Sequence, residues 1–403
     1  MENNTSFDDP NPVTNITFVE VLHTTKFICI DVPWIILSKT VQHLWPPSSA
    51  GRLSLTQDLT RSLFRSATHR LPLSLFNNFA DRKGTQTLSS TRYKHLKDQI
   101  YQPVRTADFA GYWICRGLSS DHTGPETSDL VILFLHGGGY VAGHPSDNIS
   151  DLLFISETLA KIKITMSIFS LDYTLAPRAG FPKQVEETTA AYEYLINSLG
   201  VDSSKIAIMG ESAGAHLALS FLTDLQLRSV GDPAALPSKS SISLPKPAIA
   251  VLVSPWIDLL TRHPRARDLE TRDFMGKTTL DAYSKLLLQT TPPRIQALYE
   301  NFGQDVPERG LWQTILPAKT WVSAGGDELF VEDIKAFVKH VEQGGANVTF
   351  ELTQGETHAW QSKIAVMDRR KFLAASQGGE SIDGLMKGHA SIAQAILAML
   401  EVS

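Results

Sequence analysis

The residues best suited to chemistry lie in a short stretch, Ile206–Gly214, which ends in Gly-Glu-Ser-Ala-Gly. An apolar run precedes Ser212, and an apolar segment with the character of a buried helix follows it. Strand, sharp turn and helix form the context of a nucleophile elbow, in which the turn lifts a serine hydroxyl above the carboxyl edge of a parallel sheet. Gly210 and Gly214 would permit the close approach of strand and helix that such a turn requires. Since Gly-x-Ser-x-Gly is a loose pattern, the interpretation depends on the rest of the chain.

A base and an acid for this serine are found later in the chain. Serine is a weak nucleophile at neutral pH and needs an adjacent base. His358 follows the last predicted strand, and Asp327 follows the strand before it. Because the carboxyl ends of parallel strands share one edge of a sheet, we expect these side chains to meet Ser212 there. His358 would take the serine proton and Asp327 would orient the imidazole, with Glu328 as the less favoured acid. Asp258 also follows a strand and is interpreted as structural.

Three glycines, Gly137, Gly138 and Gly139, follow another apolar run. Without side chains in the way, their backbone N–H groups could turn toward a developing oxyanion, together with the N–H of Ala213. A tight turn without a catalytic role is the alternative. A phosphate-binding loop is not favoured, because the lysine and helix start of the Walker pattern are missing.

The elements that must position these residues alternate between strands and helices. The continuous apolar run Leu130–Leu135 is typical of a strand buried on both faces of a parallel sheet, and Ile164–Leu171 and Ile249–Ser254 are also predicted to be strands. Further strands are expected at Thr320–Ala324 and Asn347–Leu352. The alternation predicts right-handed crossovers and an α/β fold with a mostly parallel central sheet flanked by helices.

The chain is predicted to have two regions. Residues 1–105 would form a disordered start, to about residue 15, and then a helical cap or lid. The α/β domain would cover 106–403, with a helical insertion at about 262–310 that also covers the site. In the cap, a helix at Leu53–Ala67 would project Arg61 and its neighbours onto a solvated face, the usual fate of such charges.

Composition excludes several classes of protein. The chain has 403 residues, with 42% hydrophobic and 20% charged, which is ordinary for a globular protein. A net charge of -5 without a long basic run gives no support for nucleic-acid binding. The two cysteines, Cys29 and Cys115, are too few for a disulfide framework or a zinc site, and no metal is expected. The polar, acidic start lacks a secretory pattern, so the expected location is the cytoplasm, with association to an intracellular membrane left open.

That membrane question rests on one apolar segment, Phe27–Leu37, between predicted helices at Phe18–His23 and Ile30–Leu44. Asp31 and Pro33 interrupt it, and it is too short for a membrane span. It would pack as a lid or contact a membrane surface, and the sequence favours packing. Trp45–Gly51 is predicted as a break after it.

Five motifs occur in the chain in a fixed order: His136–Tyr140, Asp172–Pro177, Gly210–Gly214, Ser254–Asp258, and Asp327 with His358. Together they resemble the hormone-sensitive-lipase branch of α/β-hydrolases over about residues 110–403. The resemblance implies an α/β-hydrolase fold and a carboxylic ester hydrolase that needs no cofactor and works through an acyl-enzyme.

The resemblance also assigns roles to single residues. It implies that Gly137, Gly138 and Ala213 supply the oxyanion N–H groups, and Tyr140 is expected to contact the substrate. Departures from the commoner residues of the branch are mild and remove no catalytic group. They are Thr174 for Arg, Glu211 for Asp and Ala215 for Gly.

The N-terminal region resembles that of fungal members, including steryl acetyl hydrolases and tailoring hydrolases of secondary metabolism. The leading expectation is an esterase or deacetylase for a small or medium apolar ester, either monomeric or dimeric. One alternative keeps the triad for a cyclisation or condensation step. Another is a ligand-binding protein, which is disfavoured because hormone receptors that resemble this branch have lost the histidine that His358 retains here.

Overall fold

The computed structural model describes residues 10–11, 15–44, 53–79, 81–117, 124–236, 244–377 and 382–401. These residues build one eight-stranded sheet with the order β1-β2-β4-β3-β5-β6-β7-β8. The strands are β1 (Gln102–Arg105), β2 (Ala110–Arg116), β3 (Leu130–Leu135), β4 (Met166–Leu171), β5 (Ile206–Glu211), β6 (Ile249–Val253), β7 (Lys319–Gly325) and β8 (Val348–Thr353). The pairs β1–β2 and β2–β4 are antiparallel and all other neighbours are parallel. The predicted fold, an α/β-hydrolase fold with a mostly parallel sheet, is confirmed.

The centre of the sheet is buried on both faces, as the apolar runs predict. Every residue of β3, β4 and β6 is buried. Their alternating side chains feed two hydrophobic clusters, one on each face, and helices cover both. The register pairs Leu135 of β3 with Gly210 of β5, so the glycine loop and the serine elbow leave the sheet side by side.

The helices fall into an N-terminal group, the covering helices of the sheet, and an insertion. The N-terminal group is α1 (Phe18–Leu44), α2 (Leu55–Arg70), α3 (Leu73–Phe79) and α4 (Thr85–Leu88). The remaining helices are α5 (Ile149–Ala160), α6 (Lys183–Glu193), α7 (Ala213–Ser229), α8 (Ala266–Glu270), α9 (Lys277–Leu288), α10 (Pro293–Tyr299), α11 (Trp312–Ile315), α12 (Val331–Gln343), α13 (Trp360–Ala374) and α14 (Lys387–Glu401). The insertion predicted at about 262–310 contains α8, α9 and α10 and is helical as expected.

Helix α1 differs from its prediction. Instead of two helices with a gap, the chain forms one helix of 27 residues, with a single π-helical turn at Phe27–Asp31. Thr17 and Glu20 form a capping box that fixes its start. By length and composition alone, the whole of α1 could cross a membrane, whereas the apolar segment Phe27–Leu37 is only its middle part. The break predicted at Trp45–Gly51 lies outside the described residues.

Two further expectations about the N-terminal region need correction. Asn11, within the segment predicted to be disordered, is buried, and its amide nitrogen donates to Asp172 Oδ1 at 3.1 Å. Its amide oxygen accepts the N–H of Leu175 at 2.8 Å, so this polar side chain is docked beside β4. Since β1 already begins at Gln102, the sheet starts before the boundary predicted at residue 106.

Candidate active site

Ser212 occupies the sharp turn between β5 and α7. Its backbone dihedrals are φ 56° and ψ -117°, a strained conformation for a residue with a side chain. A Cβ at Gly214 would lie 2.0 Å from the carbonyl oxygen of Leu135, and one at Gly210 would lie 2.3 Å from the oxygen of Gly214. Both positions therefore require glycine, as the elbow interpretation predicts. Ser212 precedes the first turn of the 17-residue helix α7, whose positive end favours negative charge at this point.

The loop after β8 brings His358 to this serine. The imidazole Nε2 lies 2.8 Å from Ser212 Oγ, within hydrogen-bond distance for proton transfer. Only 3% of His358 is exposed, and the Phe330 ring stands edge-on to the imidazole with centroids 5.0 Å apart. The backbone N–H of His358 donates to the buried carboxylate of Asp273 at 3.2 Å, which fixes the loop to the insertion. The structure thus brings two of the predicted residues together.

Burial also sets the charge of this histidine. Desolvation, with a smaller effect from the positive charge of Lys363, lowers the pKa of His358 to about 3. The imidazole is therefore neutral at neutral pH, and its Nε2 can act as the acceptor of a proton.

The acid beside His358 is Glu328. Its Oε2 lies 4.0 Å from the imidazole Nδ1. The same oxygen accepts hydrogen bonds from Ser254 Oγ at 2.7 Å and from the Gly325 N–H at 3.0 Å, so the carboxyl is held in place. Within the described part of the chain, His358 Nδ1 and Glu328 Oε1 have no hydrogen-bond partner. Burial raises the pKa of Glu328 to about 8.

Asp327 points elsewhere, which corrects the choice of Asp327 as the orienting acid. One of its oxygens pairs with Arg61 at 3.0 Å, and the other pairs with Arg272 at 2.7 Å. Adjacent residues in the turn after β7 send their carboxylates in different directions, one toward the imidazole and one toward the arginines. The sequence contains both candidates, but no local signal shows which of them faces the histidine.

Arg61 links the N-terminal region to the active site. It is 5% exposed, so the prediction that it lies on a solvated face is wrong. Besides Asp327, its guanidinium donates to the carbonyl oxygens of Arg272 at 2.5 Å and Gly355 at 2.9 Å. Helix α2 is thereby tied to the insertion, the acid turn and the histidine loop at once.

The glycine loop forms a wall beside Ser212. Gly138 has φ +108°, and a Cβ there would lie 2.0 Å from the carbonyl oxygen of Ala142. Gly138 and Gly139 line the cavity at Ser212. Gly137 lies underneath, where a Cβ would be 3.5 Å from the serine Cβ. Ala213 follows the serine as the first residue of α7, and the oxyanion role of Gly137, Gly138 and Ala213 stays a prediction.

Tyr140 does not reach the substrate side, contrary to the prediction. Its φ is +64°, and its side chain is fully buried in the core. The hydroxyl is hydrogen-bonded to His216 Nδ1 at 2.8 Å. The turn that exposes the glycines therefore directs this tyrosine inward. Asp258 is bound to Arg262 at 2.8 Å, in agreement with its structural interpretation.

A cavity of about 320 Å³ opens at the serine. Its apolar wall comes from both covering regions, from residues that no motif in the sequence marks as part of a site. The wall residues are Phe64 of α2, Phe76 of α3, and Phe274, Met275, Leu280 and Tyr283 of the insertion. Their only signal in the sequence is an apolar face on helices that were predicted to cover the site. Within the described residues, no group of three or more His, Cys, Asp or Glu could hold a metal ion.

Comparisons with known proteins find a matching family and several relatives. A family model described as alpha/beta hydrolase fold matches residues 132–362. The acetyl-hydrolase of Streptomyces hygroscopicus is 28% identical over 231 residues, 57% of this chain and 68% of its own length. An esterase of Acinetobacter venetianus is 26% identical over 273 residues, 64% of this chain and 80% of its own. A putative steryl acetyl hydrolase of Schizosaccharomyces pombe is 28% identical over 230 residues, 54% of this chain and 55% of its own.

Solved structures show the same fold. A crystal structure of EstE5 soaked with ethyl alcohol superposes with a TM-score of 0.57 at 22% identity, covering 92% of this chain and 98% of that one. An esterase from the bacterial hormone-sensitive lipase family gives a TM-score of 0.53 at 23% identity, covering 96% of this chain and 99% of that one.

Proposed function

We propose that this chain works by a serine mechanism through an acyl-enzyme. The chain belongs to the α/β-hydrolase fold family, in the branch that resembles hormone-sensitive lipase, and it is a hydrolase acting on carboxylic esters. The observation that carries the proposal is the 2.8 Å contact between Ser212 Oγ and His358 Nε2 at the floor of an apolar cavity. Nucleophile and base are then in place before any substrate arrives.

In the first half of the reaction, Ser212 Oγ attacks the ester carbonyl while His358 Nε2 takes the hydroxyl proton. The tetrahedral intermediate collapses, the carbon–oxygen bond to the alcohol breaks, and the imidazolium returns its proton to the leaving alkoxide. An acyl group then remains on Ser212. In the second half, His358 takes a proton from water, whose oxygen attacks the acyl carbon, and the carboxylic acid leaves as the proton goes back to Ser212.

Negative charge on the carbonyl oxygen needs donors that are already oriented. We propose that the oxyanion lies between the glycine loop and the start of α7, where the N–H groups of Gly137, Gly138 and Ala213 would bind it, as the family resemblance implies. Removing one such donor typically costs about 10²–10³ in kcat.

The third member of the triad is Glu328. Its Oε2, 4.0 Å from His358 Nδ1, lies where an ionised carboxyl stabilises the imidazolium that forms during each proton transfer. Ser254 and the Gly325 N–H hold that oxygen, so the carboxyl is oriented before the charge develops.

The cavity indicates the substrate class. Its volume of about 320 Å³ is at the small end of ligand pockets, and six of its wall residues are large and apolar. Relatives named acetyl-hydrolase, ethyl acetate hydrolase and putative steryl acetyl hydrolase support a short acyl group, with acetyl the leading candidate. The alcohol part would be small to medium and apolar. We propose that the reaction tailors a secondary metabolite.

The test is hydrolysis of p-nitrophenyl acetate, butyrate and decanoate by the purified protein, by Ser212→Ala and by Ser220→Ala. Ser220 is a buried serine of the same helix α7, bonded to the His216 carbonyl oxygen, and serves as the matched control. We expect Ser212→Ala to lose several orders of magnitude in kcat while Ser220→Ala keeps its activity. Equal activity of Ser212→Ala and wild type would refute the serine mechanism.

A further inference from the structure

Helix α1 turns its apolar side away from the protein. Large apolar side chains lie exposed along its whole length, with Phe18 81%, Trp34 67% and Leu44 77% exposed. The others on this outward face are Val19, Val21, Leu22, Ile28, Ile30, Ile36, Leu37 and Val41. A helix of 27 residues is about 40 Å long, so these side chains form an apolar strip of that length, whereas isolated apolar side chains are the norm on a monomer's surface.

The inward side of α1 is mostly polar, although its one buried residue is Phe27, whereas an ordinary surface helix turns its apolar side inward. Glu20 accepts a hydrogen bond from Ser74 at 2.6 Å, near the start of the helix. Asp31 pairs with Arg70 at 2.7 Å in the middle. Lys39 pairs with Asp58 at 3.0 Å near the end. The body of the protein therefore holds α1 by Phe27 and by charged groups at three points, and leaves its other large apolar side chains mostly uncovered.

The outward face is also nearly free of charge. Among its exposed residues, Lys26 is the only one charged at neutral pH, and none is acidic. A lipid surface suits such a face, because apolar side chains enter the acyl boundary, a tryptophan stays at the headgroup level and a lysine faces the phosphates.

We propose that α1 lies flat in the surface of a lipid bilayer and attaches the enzyme as a monotopic membrane protein. The sequence favoured packing of this segment, but of its apolar side chains the structure buries only Phe27. A perpendicular crossing is disfavoured, because the contacts at Glu20, Asp31 and Lys39 would have to break and leave charges in hydrocarbon.

This attachment has a consequence for the cavity. Helix α2 packs against the second half of α1 and also supplies Phe64 and Thr68 to the cavity wall. Phe64 is itself 54% exposed. The attached helix is therefore separated from the cavity wall by a single packed helix. The attachment itself does not depend on the proposed chemistry.

The experiment is flotation of the full-length protein with phosphatidylcholine vesicles, with and without added phosphatidylserine. The test variant is Trp34→Glu with Leu37→Glu, and the matched control is Leu311→Glu with Val366→Glu, whose wild-type side chains are 59% and 58% exposed on the body of the protein. We expect wild type and control to float with both vesicles and the test variant to lose at least tenfold in vesicle-bound fraction. Unchanged melting curves and unchanged hydrolysis of a water-soluble ester establish that the variant is folded.

Two results would overturn the proposal. In the first, wild type stays in the unbound fraction with both vesicles. In the second, vesicles capture nothing, and light scattering shows a wild-type dimer that the variant Trp34→Glu with Leu37→Glu does not form. The outward face of α1 would then bind a second copy of the chain. If the wild-type protein floats with vesicles but has no esterase activity, the proposed chemistry is contradicted and the proposed attachment stands.

Discussion

Replacing Glu328 by glutamine tests which carboxylate serves the active-site histidine. The change keeps the size of the side chain and removes its charge. With Glu328 Oε2 4.0 Å from His358 Nδ1, the attraction between carboxylate and imidazolium is about 4 kcal/mol at an effective dielectric of about 20. Each 1.36 kcal/mol is tenfold in rate, so this attraction corresponds to about 10³ in kcat. Loss of the correct imidazole tautomer can extend the effect to about 10⁴.

The assay is the steady-state hydrolysis of p-nitrophenyl acetate at pH 9. Because burial raises the pKa of Glu328 to about 8, most of the carboxyl is ionised at this pH and the full difference is measurable. The uncatalysed hydrolysis at pH 9 is subtracted with Ser212→Ala. We expect kcat to fall by about 10³ to 10⁴ and KM to change little, since the lost interaction is made in the transition state.

Asp327→Asn is the matched control at the neighbouring position. It removes the buried ion pair with Arg61. The Arg61 side chain is only 6% exposed, and its guanidinium is then left without a carboxylate partner. Breaking such a pair costs about 3–5 kcal/mol of stability, so the melting temperature should fall clearly. At a temperature where it is folded, kcat should remain within about tenfold of wild type. The reasoning is refuted if folded Asp327→Asn loses 10³ in kcat while Glu328→Gln stays active.

Three further predictions follow from groups around the site. As pH falls through about 8, Glu328 gains a proton, so kcat should decline in wild type but not in Glu328→Gln. Because the pKa of His358 is lowered, the imidazole stays neutral and the remaining activity should persist down to about pH 5. A pH profile of kcat for the two proteins measures both effects. Tyr140→Phe removes the hydroxyl bonded to His216, so thermal unfolding should show a loss of about 1–3 kcal/mol with KM unchanged; a raised KM would restore its substrate role. Tyr283→Ala opens the apolar wall, so kcat/KM for decanoate relative to acetate should rise at least tenfold; an unchanged ratio would mean that Tyr283 does not limit chain length.

The sequence identified the parts of the site that depend on local chemistry. The elbow at Ser212 could be predicted because two glycines are needed for the close contact of strand and helix, and such a need is visible in the residues themselves. His358 could be predicted because a loop after the last strand of a parallel sheet returns to the same edge.

The rest depends on side-chain direction and on contacts between distant residues. Which of Asp327 and Glu328 faces the imidazole depends on the directions of two adjacent side chains in one turn. The order of the residues in the sequence does not reveal these directions. Arg61 looked solvated because its carboxylate partner lies 266 residues further along the chain. Tyr140 follows the glycines in sequence, but its positive φ turns it into the core.

The central claim is that an acyl group is carried on Ser212 with His358 as the base. The most direct measurement is covalent labelling with a fluorophosphonate, followed by peptide mass spectrometry, for wild type and for His358→Ala. We expect one modification, on the side chain of Ser212, and its rate should drop by several orders of magnitude in the histidine variant. Labelling at another residue, or labelling of Ser212 that is equally fast without His358, would contradict it.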